Sequence, residues 1–394
     1  MNWRDDELVN PLSGETLKRD SPHSFSDGTE RFPVIAHIPY LRANRNQLRR
    51  EVLGKLDAGD ERGATILLLQ DRDDWATNAL PPPADLQTLF ENENATLRDA
   101  MRLLNYGAVA DYFAYRWSDP TFLSGLCLLE NHLPPNAENV FELCCGIGHY
   151  LREFDLRNFA AIGADVVFSK LWLARRYVAP AAKLICLDAN FDFPFADKSF
   201  DAAFCHDAFY FLPEKTRVAA ELKRTTNGAI LIGHAHNAEA ENFSSGAAVA
   251  TGEYAAMFEN PTLYDDAELT KSLIENRLPN AQKAETLKNA EAVAIAVGER
   301  NAVGAVNFTL PPPNRSLRVN PLLDAGDCKV TNAPQYPSER YENEYAPLSG
   351  YLNLNGENIS FSVQKAMFER YWEGDEKLIE LARRRIFLDL PEDW

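Results

Sequence analysis

The sequence predicts an α/β protein with a mostly parallel sheet. From Asn139 onward, short apolar runs alternate with amphipathic helical stretches, the pattern of parallel strands joined by covering helices. One run, Asn139-Val-Phe-Glu142-Leu, ends in an acid, enters a glycine turn and passes directly into a helix. The next two runs also end in carboxylates, Asp165 and Asp188.

Taken in order, residues 1–60 hold a strand-like piece at Phe32–Ile35, a turn, and a helix from about Asn44. Residues 84–132 read as mainly helical, with aromatic residues through Tyr106, Tyr112, Phe113, Tyr115 and Trp117. Five strands are expected at Val140–Cys144, Ala160–Ala164, Lys183–Leu187, Ala202–Cys205 and Ala229–Gly233. A helix near Asp266–Glu275 and a strand near Ala292–Val297 complete the pattern. Proline runs at Pro81–Pro83, Pro134-Pro135 and Pro311–Pro313 mark breaks, since they continue neither a helix nor a central strand. Four segments result: 1–60, a helical linker and lid at 61–132, a sheet domain at 133–300, and an extension at 301–394 whose fold the pattern does not assign.

The 394 residues exceed one ordinary core. No apolar run approaches the ~20 residues of a membrane span, and the opening MNWRDDELVNP lacks the apolar region of a secretory signal. A cytoplasmic address is therefore expected. Cys127, Cys144, Cys145, Cys186, Cys205 and Cys328 form no C-x-x-C pair and read as reduced thiols. The formal charge of −18 opposes binding to nucleic-acid phosphates. The arginine runs at 42–50 and 383–385 could form a local basic patch but read more readily as solvated helix faces.

Glycines at Gly146 and Gly148 allow close backbone approach to a ligand, and the helix that follows favours negative groups at its start. Asp165 is placed to accept the hydroxyl protons of a ribose, and Asp188 to accept from an adenine amino group. Phe191-Asp-Phe-Pro-Phe-Ala-Asp-Lys-Ser199-Phe200-Asp201 then leads into the fourth strand. A nicotinamide site fits less well, because its fingerprint needs glycine where Leu151 stands.

This succession resembles the class I S-adenosylmethionine-dependent methyltransferases, over about residues 121–300 and most strongly over 139–234. The resemblance implies a Rossmann-like sheet with helices on both faces, here with a small N-terminal ribbon-like domain and a C-terminal extension. It implies that Glu142 and the turn at Cys144, Gly146 and Gly148 hold the methionine part of S-adenosylmethionine. Asp165 would grip the ribose, Asp188 with the backbone of Ala189 would read adenine, and His206 would lie beside the transferable methyl group. Cys144 departs from the family turn, where glycine is usual.

Residues 10–17 and 28–41 have their own resemblance, to the small zinc-ribbon-like activator subunits of RNA and protein methyltransferases. Asn10 and Ser13 stand where that pattern has its first two zinc-binding cysteines. A four-ligand zinc site needs thiolates or imidazoles, and His23 and His37 alone do not make one. No metal is expected, and the segment reads as a metal-free relic.

His206, His234 and His236 follow the fourth and fifth strands, the ends at which open α/β sheets bind ligands. Each could serve as a general base in methyl transfer or be a hydrogen-bonded loop residue; His149 reads as packing or cofactor contact. Tyr112, Tyr115 and Arg116 could cover the cofactor, Arg116 by pairing with the methionine carboxylate, or the tyrosines could be core. The resulting reading is an S-adenosylmethionine-dependent methyltransferase of a small molecule or glycan precursor, at oxygen or nitrogen. The alternatives are a non-catalytic S-adenosylmethionine-binding scaffold and a protein or RNA methyltransferase.

Overall fold

The computed structural model describes residues 3–73, 77–244, 246–312, 315–324, 330–354 and 374–394, so Pro313 and Cys328 lie outside the described residues. The chain forms two compact units. The first comprises Met1–Gly107, Asn136–Ile232 and Asp393; the second comprises Ala108–Pro135, Gly233–Glu392 and Trp394.

The first unit opens on a four-stranded antiparallel ribbon, β1 (Lys18–Ser21), β2 (Ser24–Ser26), β3 (Arg31–Ile35) and β4 (Ile38–Pro39), paired in that order. Phe25 and Phe32 sit opposite each other on β2 and β3 and are fully buried. Ala36 and His37 close the β3–β4 hairpin at φ +51° and +62°, because a two-residue turn matched to strand twist needs left-handed backbone at both positions. Helices follow at Asn46–Asp57, Glu61–Leu69, Pro83–Glu91 and Leu97–Leu103. Asp60 caps the second, proline opens the third, and Thr96 with Asp99 forms a capping box on the fourth.

The main sheet of this unit contains β5 (Asn139–Leu143), β6 (Ala160–Asp165), β7 (Lys183–Cys186), β8 (Phe200–His206) and β9 (Thr226–His236, the unit ending at Ile232). Its order is β9-β8-β5-β6-β7, and β5 pairs in parallel with both β6 and β8, as β6 does with β7. The expected strands are all here, since strands of parallel sheets are buried on both faces and read as near-continuous apolar runs. Helices His149–Asp155 and Phe168–Leu173 and, before β9, Lys215–Thr225 intervene between strands.

The aromatic run before β8 is structural. Phe193, Phe195 and Phe200 pack around Phe141 of β5, with ring centroids 5.8, 5.2 and 4.9 Å away. Asp201 then accepts from the backbone N–H groups of Glu138 and Asn139 at 2.8 and 3.0 Å, tying the start of β8 to that of β5.

In the second unit, helices occupy Val109–Tyr115 and Pro120–His132, as the mainly helical reading of this region expects. Helix Asp266–Ile274 packs on Pro120–His132, where Thr270 donates to the Pro120 carbonyl at 2.7 Å. Strands β10 (Thr262–Asp265) and β11 (Ala292–Val297) pair antiparallel. The region beyond residue 313, unassigned from sequence, forms a core of Leu322, Leu323, Tyr341, Tyr345, Leu352 and Phe387, among others.

Candidate cofactor site

The centre of the site is the turn after β5. Parallel pairing sets Glu142 opposite Gly163 and Leu143 opposite Ala164, and the Cys145 N–H continues the ladder to the Ala164 carbonyl at 2.9 Å. The chain then reverses through left-handed backbone at Cys144 (φ +58°), Gly146 (+55°) and Gly148 (+87°), the last capping helix His149–Asp155. A side chain in this region costs about 1–2 kcal/mol, so the departure at Cys144 carries local strain that glycine would not.

Three carboxylates stand at the ends of three adjacent strands. Glu142 is buried, and burial, with Asp165 adding to it, pushes its carboxyl well above the usual range. Its Oε2 has no hydrogen-bond partner among the described residues. Asp165 accepts from the Gly146 N–H at 3.0 Å through Oδ2 and from the Val167 N–H at 2.9 Å through Oδ1. The Lys170 ammonium lies 3.6 Å from Asp165 and 3.9 Å from Asp73. Desolvation opposes the charge on Lys170, but Asp165 and Asp73 hold its pKa above the ordinary amine value.

Asp188 accepts twice from Asn190 through Oδ1, from its N–H at 3.0 Å and its side-chain amide at 2.8 Å. Its Oδ2 accepts from the Asn44 amide at 2.9 Å. The carbonyl oxygen of the Asn190 side chain is buried with no partner among the described residues. Ala189 beside it is buried.

His206 ends β8 with its ring stacked on Phe204 (5.6 Å) and edge-on to Tyr150 (5.1 Å). Cys205 before it is buried, and a hydrogen bond with Cys144 together with that burial pushes its thiol well above the usual range. Cys127, Cys144, Cys145, Cys186 and Cys205 are all free thiols. His149 is buried on the first turn of its helix.

Five sequence-predicted residues belong to the second unit. Tyr112 donates to Glu344 at 2.6 Å, and its ring and that of Tyr115 pack in the aromatic core against Tyr341. Arg116 pairs with Asp119 at 3.4 Å. His234, itself in left-handed backbone (φ +47°), directs Nδ1 to Asp266 Oδ2 at 2.7 Å, and its ring is 5.2 Å from that of His236. A carboxylate at Nδ1 requires the proton there, which leaves the Nε2 lone pair as the basic position.

Sequence reading missed Asn44, Asn190, Lys170 and Asp266. Asn44 read only as a helix start, and no local signal announces a contact across 144 positions. Asp266 likewise read only as the start of a helix, thirty-two positions after His234.

With this geometry in place, residues 141–232 match the family described as "Methyltransferase domain". This stretch is a methyltransferase domain, of the class of enzymes whose cofactor is S-adenosylmethionine.

Solved structures with which the chain shares some likeness include a protein of Pyrococcus horikoshii OT3 (25% identity, 24% of this chain and 44% of that one, TM-score 0.23). Another is the Haemonchus contortus phosphoethanolamine N-methyltransferase 2 in complex with phosphomonomethylethanolamine and S-adenosylhomocysteine (16% identity, 52% and 61%, TM-score 0.36). A third is an amino pentose methyltransferase of calicheamicin biosynthesis from Micromonospora echinaspora (24% identity, 30% and 53%, TM-score 0.26). The chain thus spans less than two thirds of each of these three proteins. No curated protein matches it.

Proposed function

We propose that the chain is an active methyltransferase that transfers a methyl group from S-adenosylmethionine to oxygen or nitrogen of a small molecule or glycan precursor, in the cytoplasm. The observation that carries this reading is the set of strand-end carboxylates Glu142, Asp165 and Asp188, together with the buried acceptors Glu142 Oε2 and Asn190 Oδ1, which have no partner among the described residues. Buried acceptors of this kind are costly unless a ligand supplies the donor.

S-adenosylmethionine supplies a methyl carbon activated by its positive sulfur. Glu142, with the turn at Cys144, Gly146 and Gly148, is assigned to the methionine ammonium; a cation there would favour the ionised form of a carboxyl whose pKa burial raises. Asp165 is assigned to the ribose hydroxyls, and Asp188 with Ala189 to adenine. His206 is assigned to the side of the transferable methyl group. The proton acceptor is assigned to a strand-end histidine, and His234 is best equipped because Asp266 fixes its tautomer. A formal charge of −18 favours these acceptors over RNA, and no described helix is long and apolar enough to cross a membrane.

Calorimetry with S-adenosylmethionine tests the site. Asp165→Ala should largely abolish binding, and Asp188→Ala should weaken it by about 0.5–1.5 kcal/mol, the worth of one hydrogen bond. Undiminished affinity in Asp165→Ala would refute the assignment. Strain at Cys144 favours one second reading, a scaffold that binds the cofactor without turning it over. Firm binding with no formation of S-adenosylhomocysteine from a cell-extract acceptor pool would select it.

We also read the N-terminal ribbon as a metal-free relic of an activator-like module. Its support is a knot of hydrogen bonds in place of ligands. Asp27 accepts from the Asn10 amide at 2.6 Å and the Ser13 hydroxyl at 3.1 Å, the two positions where cysteines would stand.

A further inference from the structure

We propose that Asn44, delivered by the strap that leaves the N-terminal ribbon, is a specificity-determining residue of the adenine pocket; this rests on the S-adenosylmethionine reading above.

The strap is held on both sides. Tyr40 forms a parallel bridge with Cys186 at the end of β7, and the Leu41 N–H donates to the Cys186 carbonyl at 2.7 Å. On its other side Asp71 gathers the strap by accepting from the Tyr40 hydroxyl (2.6 Å), Arg42 (2.8 Å) and Arg45 (3.2 Å). Tyr40, Arg42 and Asp71 are buried, so this anchorage is shielded from water. Pinned on either side, the chain has little freedom at position 44, and the amide of Asn44 meets Asp188 two residues beyond the β7 contact.

The carboxylate then dictates which way that amide points. Asp188 only accepts, so Asn44 turns its nitrogen inward and presents its carbonyl oxygen outward. Asn190 is oriented by the same carboxylate through its own nitrogen, and its carbonyl oxygen is without a partner among the described residues. Asp188 flanked by two amides is therefore a set of acceptors with the donors turned toward the acid. Adenine offers a 6-amino donor to such a set. Hypoxanthine offers a carbonyl at the same place and is repelled. Asn44 is exposed, so it is open to a ligand and its replacement leaves the core intact.

The test is calorimetric titration of S-adenosylhomocysteine and its hypoxanthine counterpart, S-inosylhomocysteine, into the full chain and into Asn44→Ala. The variant should bind S-adenosylhomocysteine about 5–10-fold more weakly, the effect of one lost hydrogen bond, with affinity for the hypoxanthine compound unchanged or raised and the ligand-free melting temperature unchanged. The adenine preference then falls by at least the same factor. An unchanged ratio of the two affinities, or an equal loss for both compounds, would overturn the role of Asn44 while leaving the cofactor site standing. Failure of the unaltered protein to bind either compound would instead overturn the cofactor reading, and this inference with it.

Discussion

Cys144 shows how one residue can meet a backbone requirement badly and still hold its place. Its φ of +58° is what the turn after β5 demands, which explains in physical terms why glycine is usual there. The sequence reading marked the substitution; the torsion that makes it matter has no signature in a single chain. The expected outcome is an inverted ranking of small replacements. Cys144→Gly should be more stable than Cys144→Ala by about 1 kcal/mol, because both lose the thiol but only alanine keeps a Cβ in left-handed backbone. Urea unfolding of the two variants measures it, and alanine equal to or better than glycine would contradict the strain. Gly148 is constrained differently: at φ +87°, an added Cβ would also stand 3.2 Å from Ala174 Cβ and 3.3 Å from Ala179 Cβ.

Among the elements, the ribbon shows a hydrogen-bond centre doing the work of a cross-link. Asp27 accepts from the backbone N–H groups of Glu30 and Thr29 as well as from Asn10 and Ser13, and these bonds hold its carboxyl far below the usual range. Metal analysis of the purified protein should find no stoichiometric zinc, and Asp27→Ala should lower stability by about 1–2 kcal/mol in urea unfolding. One tightly held zinc, or a neutral substitution, would refute that description. The parallel strands were legible because burial on both faces writes an apolar run into each. The strap was not: Tyr40, Arg42 and Arg45 meet at Asp71 through distant pairings that no local periodicity records. For the same reason Asp188 was found at a strand end, while Asn44 was passed over.

For the molecule as a whole, stability should respond to pH through a buried histidine. His132 is 1% exposed, with Nδ1 3.3 Å from the Glu299 carbonyl and Nε2 2.8 Å from the Tyr264 hydroxyl. The neutral ring satisfies both partners, donating from Nδ1 and accepting at Nε2, and burial lowers its pKa to about 4. The unfolded chain takes up this proton near pH ~6.5. Its contribution is therefore complete above that pH and declines as pH falls toward the folded value, by up to ~3 kcal/mol. Unfolding free energies at pH 7.5 and 4.5 should differ less in His132→Phe than in the unaltered protein by that order. Equal differences would show that the ring titrates normally. The main fold was legible at this scale, but residues beyond 313 were not, because their core is gathered from short, separated pieces such as Leu322, Tyr341 and Phe387.

The strap at Tyr40–Leu41 has a further consequence. β7 is the outermost strand of its sheet, and its Lys-Leu-Ile-Cys sequence is mostly apolar. An outer strand with open amides and carbonyls invites pairing with a neighbouring chain. The strap covers the Cys186 end of that rim, so a chain shortened past residue 45 is expected to pair edge to edge with its own copies, which size-exclusion chromatography would reveal as a shift to larger species.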